Sequence, residues 1–237
     1  MTRLAIVAAL EREVRRLIRN WRVVEGDHEG RRFKFFEDGG SAVLVCGGIG
    51  AQAGRHAAEA VIALYHPEIV QSVGFAGALD PALTVGEIFY PTRVIDGKDG
   101  SSVILENGTG VLLSFHSIAG TEQKMKLAEA YGAQAIDMEA AAVAKVAESH
   151  GLRFVATKVI SDESDFEMLS MDRFISHDGQ FHSARFVGFV ALRPWLWAQV
   201  IRLGRNSARA AQALCRELQR QLSTEVDKAE LNANVRV

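Results

Sequence analysis

The chain has 237 residues, 48% hydrophobic and 24% charged, with a formal net charge of −2. Near-neutral charge excludes a general nucleic-acid binder, and no apolar run reaches the roughly 18 residues a membrane-crossing helix needs. Length and composition fit one ordinary globular domain with an appendage, large enough to bury a core without disulfides or a structural metal.

Leu4–Leu10 is too short for a secretory signal and is followed at once by Glu11-Arg12-Glu13, so a cytoplasmic protein is the expectation. Leu4–Ala9 reads as a buried strand and Glu11–Asn20 as the helix after it. Arg32–Phe36 and Ala42–Cys46 read as strands joined by an Asp38-Gly39-Gly40 turn. The loop Gly47-Gly48-Ile49-Gly50 leads into a helix from about Ala51 to Tyr65. Ile69–Gly74 is a strand that runs into Gly74-Phe75-Ala76-Gly77. Further strands are expected at Gly86–Pro91, Ser102–Leu105, Val111–Ser114 and Phe154–Ile160. Helices are expected at Glu122–Tyr131 and Ala140–His150, each stopped by a glycine.

Strands alternating with helices predict an α/β layer fold with helices packed on a central sheet. Ligands of such folds collect at the carboxyl ends of strands. Glu11-Arg12-Glu13, the Gly47 loop, the Gly74 loop and Ser161-Asp162 all fall at such ends. From about Phe181 acidic residues thin out, and Arg193-Pro194-Trp195-Leu196-Trp197 opens a long helix. At 3.6 residues per turn, Arg202, Arg205, Arg209, Arg216 and Arg220 share one stripe, while Val200, Leu203, Ala211, Leu214 and Leu218 face the other way. After Ser223 the tail is polar and expected to fray. The division is a catalytic domain over 1–185 and an amphipathic helical extension with its tail over 186–237.

The chemistry-bearing segment is Ile136-Asp137-Met138-Glu139-Ala140 at the mouth of an alanine-rich helix. By spacing alone, Asp137 is a helix cap and Glu139 a first-turn acid. On extended backbone the pair instead points one way, suited to gripping the hydroxyls of a ribose over a soft Met138 floor. Asp162 reads either as part of a solvated acidic loop with Glu163 and Asp165, or as a general acid. As an acid kept protonated by burial it would neutralise charge building on a departing purine, with Ser161 orienting it and Arg173 as a candidate ionic partner. Glu13 is either an exposed helix position or a base that activates water.

Gly48-x-Gly50-x-x-x-Gly54 does not match the dinucleotide fingerprint, and no acid ends the following strand, so no nicotinamide cofactor is expected. Cys46, Cys215 and the seven histidines show no metal-ligand spacing, so no metal and no other cofactor are expected either. His116 lies in a loop within reach of a pocket.

Together these segments resemble the nucleoside phosphorylase superfamily, in particular its methylthioadenosine/adenosylhomocysteine nucleosidase branch, from Leu4 to about Phe174. Ala8-Ala9-Leu10-Glu11-Arg12-Glu13-Val14 resembles the family's Gly-Ala-Met-Glu-Glu-Glu-Val, which implies that Glu13 directs water. Gly48-Ile49-Gly50 resembles the loop near the ribose. Gly74-Phe75-Ala76-Gly77 with Val85-Gly86-Glu87-Ile88 resembles the family's T-G-S-A-G…V-G-D-I. Ile136–Ala140 resembles V-E-M-E-A and Ile160-Ser161-Asp162 resembles I-S-D. These imply a sugar floor at Met138, a hydroxyl grip at Glu139 and a leaving-group acid at Asp162. Leu169-Ser170-Met171-Asp172 resembles the segment whose aromatic residue covers the purine, with Met171 in its place. The substrate-contacting set implied is Gly48, Ile49, Phe75, Ala76, Gly77, Ile118, Met138, Glu139, Ser161 and Met171.

The resemblance implies a three-layer α/β/α fold with a central mixed sheet, and release of adenine from a 5′-modified adenosine. Phe75 stands where phosphorylases carry a small hydroxyl residue, and Gln71 and Ser72 stand where an arginine would precede it. Water is therefore favoured over phosphate as nucleophile, with Arg12 or Arg55 as compensating cations if phosphate is used. Ser114–Thr121 and the Arg193 helix are similar to a second branch, the hopanoid-associated phosphorylases, which implies an adenosyl lipid as substrate. The helix over 193–220 then suits either peripheral contact with the inner face of an anionic membrane or packing against protein. The resemblance also implies a homo-oligomer, and a non-catalytic nucleoside-binding module is the competing class.

Overall fold

The computed structural model describes residues 3–167, 172–176 and 179–234. In chain order its strands are β1 (Leu4–Ala8), β2 (Arg22–His28), β3 (Arg31–Glu37), β4 (Ala42–Cys46), β5 (Ile69–Ala78) and β6 (Ile88–Phe89). They continue as β7 (Arg93–Asp96), β8 (Ser102–Ile104), β9 (Val111–Ser114), β10 (Ala135–Asp137) and β11 (Arg153–Asp162). The helices are α1 (Glu11–Val14), α2 (Ala51–Tyr65), α3 (Thr121–Tyr131), α4 (Ala140–Ser149), α5 (Ser183–Ala191) and α6 (Trp197–Asn234).

All the strands join one mixed sheet. β1 pairs in parallel with β4 and with the first half of β5. β11 runs parallel to β5 from Arg153↔Ile69 to Asp162↔Gly77, with a slip between Ile160 and Asp162. A strand has two edges, and β11 occupies one edge of β5 along most of its length. β1 and the antiparallel β10 therefore share the other edge end to end, β1 at Ile69–Ser72 and β10 at Gly77–Ala78. The sheet opens where β1 gives way to β10.

Side chains alternate across each strand, and the core divides accordingly. Ala5 and Val7 of β1 enter a cluster with Ala57 and Val61 of α2 and Val143 and Ala147 of α4. Ile6 and Ala8 face the other way, against Val14 of α1 and Leu214 and Leu218 of α6. Helices thus cover both faces, giving three α/β/α layers, with α3 packed beside β9 and β10 over Leu113, Leu127 and Ile136.

Three expectations change in detail. The helix expected over Glu11–Asn20 breaks after Val14. Tighter i,i+3 bonds from Leu17 N to Val14 O and from Trp21 N to Ile18 O bring Leu17 and Ile18 onto the same buried face as Val14. β5 continues past Gly74, because Gly74–Gly77 stay paired to Lys158–Asp162. α6 continues past Ser223 to Asn234. The arginine stripe of α6 is exposed, while Ala210, Leu214, Cys215 and Leu218 are buried. No described helix is long and apolar enough to cross a membrane.

Candidate active site

Five chain segments end around the gap between β1 and β10. They carry Glu13 just beyond β1, Ile49 beyond β4, Phe75-Ala76-Gly77 in β5, Asp137-Met138-Glu139 at the end of β10 and Ser161-Asp162 at the end of β11. All of these side chains, with Ile118 from the loop after β9, line one cavity of about 160 Å³. A second chamber of about 260 Å³ shares Ile49, Met138 and Ile175 with it and adds Gln52 and His116. A larger void of about 620 Å³ lies at the amino ends of β1, β5 and β11, lined by Leu4, Ile69 and Arg153. Ligands of open α/β sheets bind at the opposite, carboxyl ends, where the buried carboxylates are. Gly48 is not part of the cavity wall; its N–H bonds Ala9 O at 2.9 Å and ties the loop to the end of β1. Met171 lies outside the described residues.

Four carboxylates reach this cavity, each in a different setting. Glu13 is buried, and its Oε2 has no hydrogen-bond partner among the described residues. Burial and the nearby Glu139 push its carboxyl up to about 8, against the opposing charges of Arg12 and Lys158. Glu139 accepts the Gly50 N–H at 2.7 Å and the Met138 N–H at 3.3 Å. Burial and Asp137 raise it to about 7, against Lys158.

Asp137 turns away from the cavity centre. Its Oδ2 accepts the Ala140 N–H at 2.9 Å and the Lys158 ammonium at 2.8 Å, while Oδ1 accepts Ser114 Oγ–H at 2.5 Å. It therefore caps α4 and fixes the turn that presents Met138 and Glu139. Asp162 accepts Ser161 Oγ–H at Oδ1 (2.6 Å) and the Lys124 ammonium at Oδ2 (2.5 Å).

Two glycines make these approaches possible. A Cβ on Gly74, whose φ is +143°, would lie 2.8 Å from Glu13 Oε2. A Cβ on Gly77 would lie 2.9 Å from Asp162 Oδ2. A Cβ at either position would force the facing carboxylate to move.

Reading the sequence missed the two buried lysines. Lys158 carries a readable signal, as the one charge inside the apolar run Phe154–Ile160. Lys124 carries none, sitting among Glu122, Gln123 and Lys126 on a helix that looks solvated. Arg173, the partner considered for Asp162, instead lies over the rings of Phe174 and Phe189.

The positions open to phosphate are poorly supplied with cations. Arg12 lines the cavity and lies over the Phe181 ring, 5.4 Å from its centroid. Arg55 is turned to Glu59 at 3.4 Å with its side chain 54% exposed. Gln71 is bonded to Thr157 and Gln221, and Ser72 accepts from Lys158. Among the described residues no three His, Cys, Asp or Glu side chains come together as metal donors.

A sequence model of the phosphorylase superfamily matches residues 3–116 and 109–181. A 5′-methylthioadenosine/S-adenosylhomocysteine nucleosidase from an Exiguobacterium species is 26% identical over 230 residues, covering 81% of this chain and 98% of that one. Among solved structures, futalosine hydrolase of Helicobacter pylori superimposes with a TM-score of 0.70 at 15% identity, covering 94% of this chain and 98% of the other. A mutant Helicobacter pylori nucleosidase with 5′-methylthioadenosine in its active site gives 0.63 at 18% identity, covering 81% and 98%. At these identities the structural likeness is one of fold.

Proposed function

The chain belongs to the phosphorylase superfamily, and from that premise we propose that it hydrolyses the N-glycosidic bond of a 5′-modified adenosine, releasing adenine. The observation that carries this reading is the meeting of Glu13, Met138, Glu139 and Asp162 in one cavity. Asp162 presents the proton that neutralises the departing purine, with Ser161 fixing its orientation. Met138 forms the floor under the ribose. Glu139 accepts the sugar hydroxyls while Gly50 N–H holds its other side. Glu13, whose Oε2 has no hydrogen-bond partner among the described residues, accepts a proton from the attacking water. The purine contacts Phe75, Ala76, Gly77 and Ile118, and the 5′ substituent extends towards Gln52 and His116.

Water is preferred to phosphate because Phe75 fills the wall where an anion would sit and, among the described residues, Arg12 is the one arginine lining that cavity. The test is incubation with 5′-substituted adenosines, followed by detection of adenine. The free 5-substituted ribose as co-product, unaffected by added phosphate, supports the hydrolase. The 5-substituted ribose-1-phosphate would make the enzyme a phosphorylase, and absence of adenine from every substrate would remove the reading.

An exposed apolar group supports a second, compatible reading in which the substrate is an adenosyl lipid met at a membrane surface. Leu192 (79% exposed), Trp195 (73%), Val187 (63%) and Ile201 (54%) fall in one stretch of chain around the start of α6, which also carries the exposed Arg185, Arg202 and Arg205. They connect to the site through Phe186 and Phe189, which pack on Phe174 next to Ile175 of the cavity wall. On this reading the exposed stretch around the start of α6 faces the lipid, while Leu214 and Leu218 further along the same helix pack under β1 and α1. Co-sedimentation with anionic liposomes that is lost on Trp195→Glu supports it. A homo-oligomer that dissociates on the same substitution, without liposome binding, assigns the patch to a second copy instead.

A further inference from the structure

Lys124 is 2% exposed on a helix whose next turn on the same side, Leu127, is core. Its ammonium donates to Asp162 Oδ2 at 2.5 Å and to Glu163 O at 2.7 Å. Burying an ammonium costs several kcal/mol unless it is paired, and an apolar side chain would fill this position without that cost. Asp162, for its part, has both oxygens occupied as acceptors, Oδ1 by Ser161 and Oδ2 by Lys124. The Lys124 ammonium is thus a proton-bearing group in direct contact with the carboxyl assigned to the leaving purine.

We propose that Lys124 is the proton source behind Asp162, a positioning residue that recharges the leaving-group acid through the Nζ–Oδ2 contact. The inference rests on the nucleosidase reading above. As the C1′–N9 bond breaks, its electron pair moves onto the base. An Nζ–H bond breaks as an Oδ2–H bond forms, and the carboxyl passes that proton to the purine. Water supplies hydroxide to C1′ and its other proton goes to Glu13. Nζ ends as an amine and Glu13 as an acid. Solvent returns the proton to Nζ and takes the one from Glu13 after the products leave, so the cycle closes without a co-reactant. The charged groups around the pair are Arg12, Glu13, Asp137 and Glu139 in the cavity, Lys158 behind Asp137, Glu163 with Arg202 on the outer side, and Glu167 beside Thr121.

The test compares wild type, Lys124→Met and Lys124→Arg on a 5′-substituted adenosine that wild type cleaves, recording kcat and KM across pH. In Lys124→Met the proton must be held by the carboxyl alone. The expected result is a fall in kcat of about 10²–10³-fold, in the range of lost acid catalysis, with KM within about threefold. The alkaline limb of the kcat profile moves to lower pH by about one unit or more. Lys124→Arg keeps the positive charge and the hydrogen bonds but cannot release a proton, so kcat stays low. Recovery of kcat in the arginine variant, an unmoved alkaline limb, or a loss confined to KM overturns the proposal and leaves Lys124 a charge partner. Failure of both variants to fold assigns it to stability and overturns it too. If wild type itself releases no adenine from any substrate, the nucleosidase reading falls first and this inference falls with it.

Discussion

Lys158 and Asp137 meet Nζ to Oδ2 at 2.8 Å with side chains only 1% and 0% exposed. The pair ties β11 to the end of β10, and the same ammonium opposes the upward push on Glu13 and Glu139. Lys158→Met leaves Asp137 buried without its counter-charge, which costs about 3–5 kcal/mol in comparable cases. Urea unfolding of the variant measures this. A loss below about 1 kcal/mol would show that the pair contributes little to the fold.

The two raised carboxyls set a pH dependence. Glu13 as a base must be ionised, and in the free protein it holds its proton up to about pH 8. The ratio kcat/KM should therefore climb with pH towards that value. Glu139→Gln removes the one cause besides burial that raises Glu13, the charge of Glu139. The acidic limb should then move to lower pH, although the variant binds substrate more weakly. A flat profile between pH 6 and about 8 contradicts the role given to Glu13.

The same shift has a consequence for stability. A carboxyl raised in the folded state holds a proton that the unfolded chain releases above its ordinary value of 4.5. The folded state is favoured by that proton below 4.5 and loses the advantage as pH rises towards about 8. Glu13→Gln has no such loss. It should be inactive yet more stable than wild type at pH 9, by on the order of 3 kcal/mol. Equal melting temperatures of the two proteins at pH 9 would contradict burial of an ionisable Glu13.

Gly77→Ala places a methyl 2.9 Å from Asp162 Oδ2 and 3.3 Å from Ile136 Cγ2. The carboxylate must shift to accommodate it, and a shift of about 1 Å at a reacting group costs up to about 10²-fold in rate. A fall in kcat of about tenfold or more is expected, with the fold retained on circular dichroism. Unchanged kcat would show that Asp162 need not stay where it is.

The layer order was legible because strands such as Ala42–Cys46 and helices such as Ala51–Tyr65 bury a continuous apolar face that sequence periodicity reports. β2 was not foreseen because none of its seven residues is fully buried, so no binary pattern marks it. β10 spans three residues and is defined by its partners rather than by its own sequence. Among the site residues, Glu13 and Asp162 were visible through their neighbours in sequence. Asp137 was readable as a cap from its position before Ala140, and the Ala140 N–H does bond to it. Lys124 was invisible because its meaning depends on Asp162, 38 residues away, and no local pattern encodes that meeting.

The contact between Cys215 Sγ and Glu13 O, at 3.5 Å, reaches across 202 residues of chain. Around it Leu214 and Leu218 pack with Val14, Leu17 and Ile18. α1 is a single turn with no side-chain cap, so little within it resists drift. What backs the segment that carries Glu13 into the cavity is a helix from the other end of the chain. A chain cut near residue 190 would retain every side chain assigned a chemical step and still lose the wedge that keeps one of them aimed. On the proposed reading, the stretch up to Leu218 would then be needed for activity although it performs no chemistry.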